Sequence, residues 1–282
     1  MLRIGEYHVL TIDRETEPGL FLRDDDGNDV LLPNKYIPEQ FELEDEINVF
    51  VYLDHEERPV ATTLNPLIKL DEFAMLKCVE VTDFGAFLDW GLEKHLFVPF
   101  KEQVYPMTIG SRYLVFCYLD LETDRLVASS KVHAFLDNSE LTVEPFEEVD
   151  LIISNKTDLG YNVIVNEIHL GLIYKDDIFQ PINVGDRLRG FIKKTRPDGK
   201  IDVTLQRPGY RSIEPNAQLI LDELERNIGY LPVTDKSDPK EIMRILEMSK
   251  KSFKRAAGTL YKQRRIEIKD DGIYLLEDKD QK

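Results

Sequence analysis

Seven cations, Lys250, Lys251, Lys254, Arg255, Lys262, Arg264 and Arg265, fall within SKKSFKRAAGTLYKQRR (residues 249–265), and no carboxylate interrupts them. Side chains of one sign at this density suit a partner carrying several negative charges, and phosphate backbones are the prime example. A second group, Lys193, Lys194, Arg196 and Lys200, lies within eight residues around the turn Pro197-Asp198-Gly199. Both stand out against a net charge of −17 over 282 residues. Residues 1–143 carry 12 Lys/Arg against 28 Asp/Glu, whereas residues 209–282 carry 15 against 14. The first half repels phosphates as a whole, and its acidity serves solubility or the docking of a basic protein.

Few other groups suggest chemistry. No phosphate-binding glycine loop, zinc-protease pair or nucleophile elbow is present, so no enzyme is expected. His8, His55, His95, His133 and His169 are scattered singly and read as surface or partly buried residues, with no metal or other cofactor expected. DDDGND (24–29) lacks the spaced glutamate of a calcium loop and reads as an acidic hairpin turn. Cys78 and Cys117 read as small buried apolar residues of a reducing cytoplasm. No apolar run approaches the roughly 18 residues of a membrane span, and MLRIGEYHVL is not a secretory leader.

The elements that carry the first basic group follow from periodicity. Ala217, Ile220, Leu221, Leu224 and Ile228 share one helical face, and Gly229 stops that helix. Asp238-Pro239 with Glu241 is a capping box opening a second helix. Ser249 caps a third, in which Phe253, Ala256, Ala257 and Leu260 face inward and leave the cations outside. RIEI and IYLL then flank a hairpin turn at Asp271-Gly272. Three helices and a hairpin make a winged helix, whose third helix is the one free to enter a nucleic-acid groove.

Before residue 210 the pattern is one of short β runs, repeated three times. PGLFLRD, FGAFLDW and LGYNVIV place Gly19, Gly85 and Gly160 at spacings of 66 and 75 residues. PVATTL, LVASSK and KIDVTLQ close each unit, with Thr62, Ser129 and Thr204 spaced 67 and 75. About five strands in roughly 65 residues suit a small closed barrel of OB type. The fold class is mainly β with a C-terminal α+β domain: barrels over residues 1–65, 66–143 and 144–208, then a winged helix over 209–282.

The second unit, VEVTDFGAFLDWGLEKHLFVPFKEQ followed by IGSRYLVFCYLDLETDRLVASSK, resembles an S1-type RNA-binding domain. The third unit matches more loosely and the first in outline only. Three such units ahead of the C-terminal block resemble the conserved virulence factor B (CvfB) family along essentially the whole chain. That resemblance implies a bacterial regulator with RNA-binding capacity and an influence on virulence. It also implies a binding surface built from the F-G-A-F phenylalanines and nearby cations. Carried onto this chain, these are Phe84, Phe87 and Arg125 in unit two. Unit three departs from the pattern, with Leu159 and Asn162 at the phenylalanine positions, but offers Tyr161 and Tyr174 beside its four cations. Phe84 and Phe87 have odd spacing and share a face only if Gly85 marks a bulge.

The resulting expectation is an RNA-binding regulator that grips single-stranded RNA over unit three and the winged helix, with units one and two as spacers or docking modules. Two alternatives stay open: a DNA-binding transcription regulator acting through the third helix, and an acidic scaffold for a basic protein.

Overall fold

A computed structural model describes residues 2–178, 180–206 and 215–276. The marker Arg207-Pro208-Gly209, at which the periodicity changes, lies outside the described residues. The chain divides into two units, Met1–Arg207 and Pro208–Lys282.

The first unit holds three closed five-stranded barrels. Barrel 1 consists of β1 (Glu6–Thr16), β2 (Gly19–Arg23), β3 (Asp29–Pro33), β4 (Glu46–Leu53) and β5 (Pro59–Thr62). Barrel 2 consists of β6 (Phe73–Val81), β7 (Gly85–Asp89), β8 (Leu96–Pro99), β9 (Arg112–Asp120) and β10 (Arg125–Ser129). Barrel 3 consists of β11 (Glu148–Lys156), β12 (Gly160–Val165), β13 (His169–Tyr174), β14 (Arg187–Thr195) and β15 (Ile201–Thr204). In each, the third strand pairs in parallel with the fifth and the remaining neighbours are antiparallel.

The repeated residues have local causes. A Cβ on Gly19, Gly85 or Gly160 would lie within 2.3 Å of a carbonyl oxygen on the next strand, so only glycine lets the strands close there. Thr62, Ser129 and Thr204 end the fifth strands, and each hydroxyl accepts from the N–H two residues on. A further repeat precedes each glycine: Thr16, Thr82 and Thr157 donate their hydroxyls to the carbonyls of Gly19, Gly85 and Gly160.

The fourth strands of barrels 1 and 2 are apolar on both sides because both sides are covered. Val49 and Val51 point into barrel 1, while Phe50 and Tyr52 meet Trp90 of barrel 2 edge-on at 5.9 and 6.3 Å. Val115 and Cys117 fill barrel 2, while Leu114 and Phe116 pack with Ile152 and Ile164 of barrel 3. Barrels 1 and 2 thus join through one shared aromatic core, and barrels 2 and 3 through a second. In barrel 3 the corresponding strand reads RLRGFIKKT and turns charged residues outward.

In the second unit α1 (Pro215–Arg226), α2 (Pro239–Leu246) and α3 (Lys250–Lys262) pack with a sheet of order β16-β18-β17, formed by Tyr230–Leu231, Gly272–Leu275 and Ile266–Lys269. Asp238 caps α2 by accepting from Lys240 N–H, and Ser249 caps α3 by accepting from Ser252 N–H. Three expectations need correction. Ile228 lies beyond α1, with φ +56° and 98% exposed, because the chain turns off at Asn227 and Gly229. The wing turn is Asp270-Asp271; Gly272 already pairs with Lys269, and it is glycine because Leu231 O would lie 2.3 Å from a Cβ. No return bond from Glu241 completes a capping box among the described residues.

Candidate nucleic-acid interface

Barrel 2 carries a groove of about 470 Å³. Its floor is aromatic. Phe87 and Phe97 sit opposite each other on β7 and β8, with ring centroids 5.0 Å apart. Phe84 belongs to the tight turn before β7, where Thr82 N–H donates to Gly85 O, and the residue is 79% exposed. Phe84 and Phe87 therefore line one groove despite their odd spacing, since Phe84 stands outside the strand's alternation. The bulge lies across from them in β6, between Cys78 and Glu80, and not at Gly85.

Arg125 at the start of β10 brings a guanidinium to this groove, and Lys94 and His95 approach from the segment before β8. The opposite wall comes from barrel 1: Tyr52 and Leu53 of β4, then His55 and Glu57 of the β4–β5 turn. Glu57 is ion-paired with Arg125. Lys94 Nζ donates to Asp54 O at 2.6 Å, and burial holds its pKa below the ordinary ammonium value. His95 Nδ1 is buried with no hydrogen-bond partner among the described residues. Exposed rings accept stacked bases, and cations beside them hold phosphates; this groove offers both.

The same positions differ in the other barrels. In barrel 1 the Phe87 and Phe97 positions are Phe21 and Leu31, and Arg14 covers Phe21 at 4.2 Å while paired with Asp13 and Asp29. In barrel 3 they are Asn162 and Leu172, with Asn162 bonded to Asn155. Leu159 takes the exposed place of Phe84. Tyr161 packs against the barrel 3 core, and Tyr174 accepts from Arg196 at 2.6 Å.

Three of the four hairpin cations are occupied. Arg196 makes a two-pronged pair with Asp202, Lys193 pairs with Asp177 at 2.7 Å, and Lys200 pairs with Asp198 at 2.9 Å. Lys194 has no ion pair among the described residues. Spacing along the chain reveals a cluster of cations but not that Asp198 and Asp202 of the same hairpin, and Asp177 from the segment after β13, pair with it.

On α3, Phe253, Ala256, Ala257 and Leu260 are buried, while Lys251, Lys254, Arg255 and Lys262 are exposed. Lys250 Nζ donates to Ser237 O, and Lys254 lies 3.6 Å from Asp235. Arg264, with φ +55°, and Arg265 connect α3 to the wing.

The sequence reading missed Phe97, Lys94, His95, His55 and Glu57. Phe97 was legible, since Leu96 and Val98 flank it as inward residues and leave it facing outward. The two histidines, 40 residues apart in sequence, line one groove only because barrel 1 packs on barrel 2.

A family model described as the S1 domain matches residues 4–64 and 72–131, so it includes the unit whose motif is weakest by eye. A model described as the CvfB-like winged helix domain matches residues 218–275. Uncharacterized protein YitL of Bacillus subtilis is 30% identical over 279 residues, covering 94% of this chain and 91% of its own. Conserved virulence factor B of Staphylococcus aureus is 27% identical over 272 residues, covering 90% and 88%. A crystal structure of a multidomain protein with nucleic acid binding domains from Streptococcus pneumoniae aligns over 97% of this chain and 99% of that chain, at 24% identity and a TM-score of 0.43. With three OB barrels, a winged helix and relatives matched along nearly their whole length, the chain belongs to the conserved virulence factor B family.

Proposed function

We propose that this protein binds single-stranded RNA in the cytoplasm and regulates gene expression through that binding, without chemistry of its own. The observation that carries the reading is the groove of barrel 2, where exposed Phe84 and the partly buried rings of Phe87 and Phe97 line one surface with Arg125. Stacking on exposed rings needs unpaired bases, which favours single strands over duplexes. Barrel 3, with most of its hairpin cations already paired, becomes a secondary contact through Lys194 and the residues that a phosphate can release from their carboxylates. The exposed cations of α3 add sequence-independent attraction.

The test is fluorescence anisotropy of a labelled single-stranded RNA with the full chain and its F84A/F87A variant, alongside a DNA duplex of equal length. The reading expects single-stranded RNA to bind more tightly than the duplex, and the double variant to lose most of that affinity. A second reading, duplex DNA at α3, rests on exposed Lys251 and Lys262. Tighter binding of the duplex, unaffected by F84A/F87A, would select it.

A further inference from the structure

Both cations that line the barrel 2 groove are engaged by one short turn of barrel 1. Asp54–Glu57 closes with Glu57 N–H donating to Asp54 O. The Asp54 carboxylate accepts from the N–H groups of Glu56 and Arg58 and from the Arg58 guanidinium. That clamp fixes the turn and leaves its outer end to face barrel 2. There Asp54 O takes Lys94 Nζ, and Glu57, held at φ +65°, takes Arg125. The strands on either side of the turn place Phe50, Tyr52 and Val60 in the core shared with Trp90, which anchors the base of the turn beside barrel 2.

The Arg125–Glu57 pair is about half exposed on both sides. A pair in that setting is weak enough for another anion to replace the carboxylate. Resting on the reading of the groove as an RNA site, we propose that Glu57 of barrel 1 is a specificity-determining residue of barrel 2: a competitor that a strand phosphate must displace from Arg125. A ligand that brings only phosphate gains little by the exchange. One that also lays unstacked bases on Phe84, Phe87 and Phe97 gains the stacking as well. The cost falls on every ligand that uses Arg125, so it sets a threshold that phosphate contact alone does not clear and that added stacking does, and it gives barrel 1 a part in recognition beyond that of a spacer.

The test uses the full chain and its E57Q, E56Q, R125Q, E57Q/R125Q and F84A/F87A variants. Labelled single-stranded U12 and a labelled DNA duplex of equal length are titrated at several salt concentrations. E57Q is expected to tighten U12 by roughly three- to fivefold, the scale of an exposed ion pair, and to tighten the duplex by a similar factor, lifting phosphate-only binding over the threshold. The salt slope for U12 should steepen by up to about 0.7, because Arg125 then meets the phosphate without first being neutralised by a carboxylate. E56Q removes a like charge one residue away and should change neither value. The gain should vanish in E57Q/R125Q relative to R125Q. E57Q binding like the wild type, or gaining no more than E56Q, overturns the proposal. If instead F84A/F87A binds U12 as well as the wild type, the underlying reading of the groove has failed.

Discussion

Barrels 2 and 3 share one topology and divide the requirements of a strand-binding surface between them. Barrel 2 lines its groove with three phenylalanines, Phe84 the exposed one, in an acidic setting, while barrel 3 keeps the denser cations and fills the phenylalanine positions with Leu159 and Asn162. Charge counted along the chain favours barrel 3. Charge paired in space does not, because Asp177, Asp198 and Asp202 meet three of its four hairpin cations. An aromatic face cannot be cancelled by a neighbouring carboxylate, whereas a cation can. On this fold exposed rings are the more durable sign of a binding surface.

The contrast is broken most severely at the aromatics. F84A/F87A should weaken single-stranded RNA by tenfold or more, since a stacked base contributes roughly 1–3 kcal/mol. The matching L159A/N162A change in barrel 3 should stay within about twofold; anisotropy on the full chain reads both. Truncating the support is the next largest effect. F50A removes a fully buried ring between barrels 1 and 2 and should cost about 3–5 kcal/mol in urea unfolding, with RNA affinity falling as the groove wall loosens.

How far the sequence reached follows the same division. Barrel closure was legible in Gly19, Gly85 and Gly160, because a backbone approach that excludes a Cβ leaves a residue-level mark. The α3 core was legible in Phe253, Ala256, Ala257 and Leu260, since helical spacing is local. Ile228 was misplaced because the helix ends at Arg226, two residues short of its apolar period. The wall that Glu57 and His55 give to barrel 2 was not legible, since nothing local to that turn specifies which barrel it meets. Nor were the carboxylate partners of Lys193 and Lys200, which are fixed by strand register and turn geometry.

Smaller changes sharpen the comparison. D177N should free Lys193 and raise RNA affinity about two- to threefold, with a salt slope steeper by roughly 0.7, if pairing is what silences barrel 3. The junction between the two barrels adds a pH dependence. Burial holds His133 below its ordinary pKa of 6.5, with its Nε2 2.8 Å from Ser154 Oγ. The unfolded chain therefore takes up the proton first as pH falls. The contribution of His133 is complete above pH 6.5 and shrinks as acidification proceeds toward the lower folded value. Urea midpoints should fall between pH 7.5 and 5.5, and H133Q should flatten that part of the decline.

The claim that barrel 2 provides the principal grip is tested most directly by photocrosslinking. A single-stranded RNA carrying 4-thiouridine would be irradiated with the full chain and the crosslinked peptides mapped by mass spectrometry. The account predicts that the dominant adducts fall on Phe84, Phe87 and Phe97, and that F84A/F87A abolishes them. Adducts confined to residues 157–201 of barrel 3 or to α3, and unchanged in that variant, would contradict it.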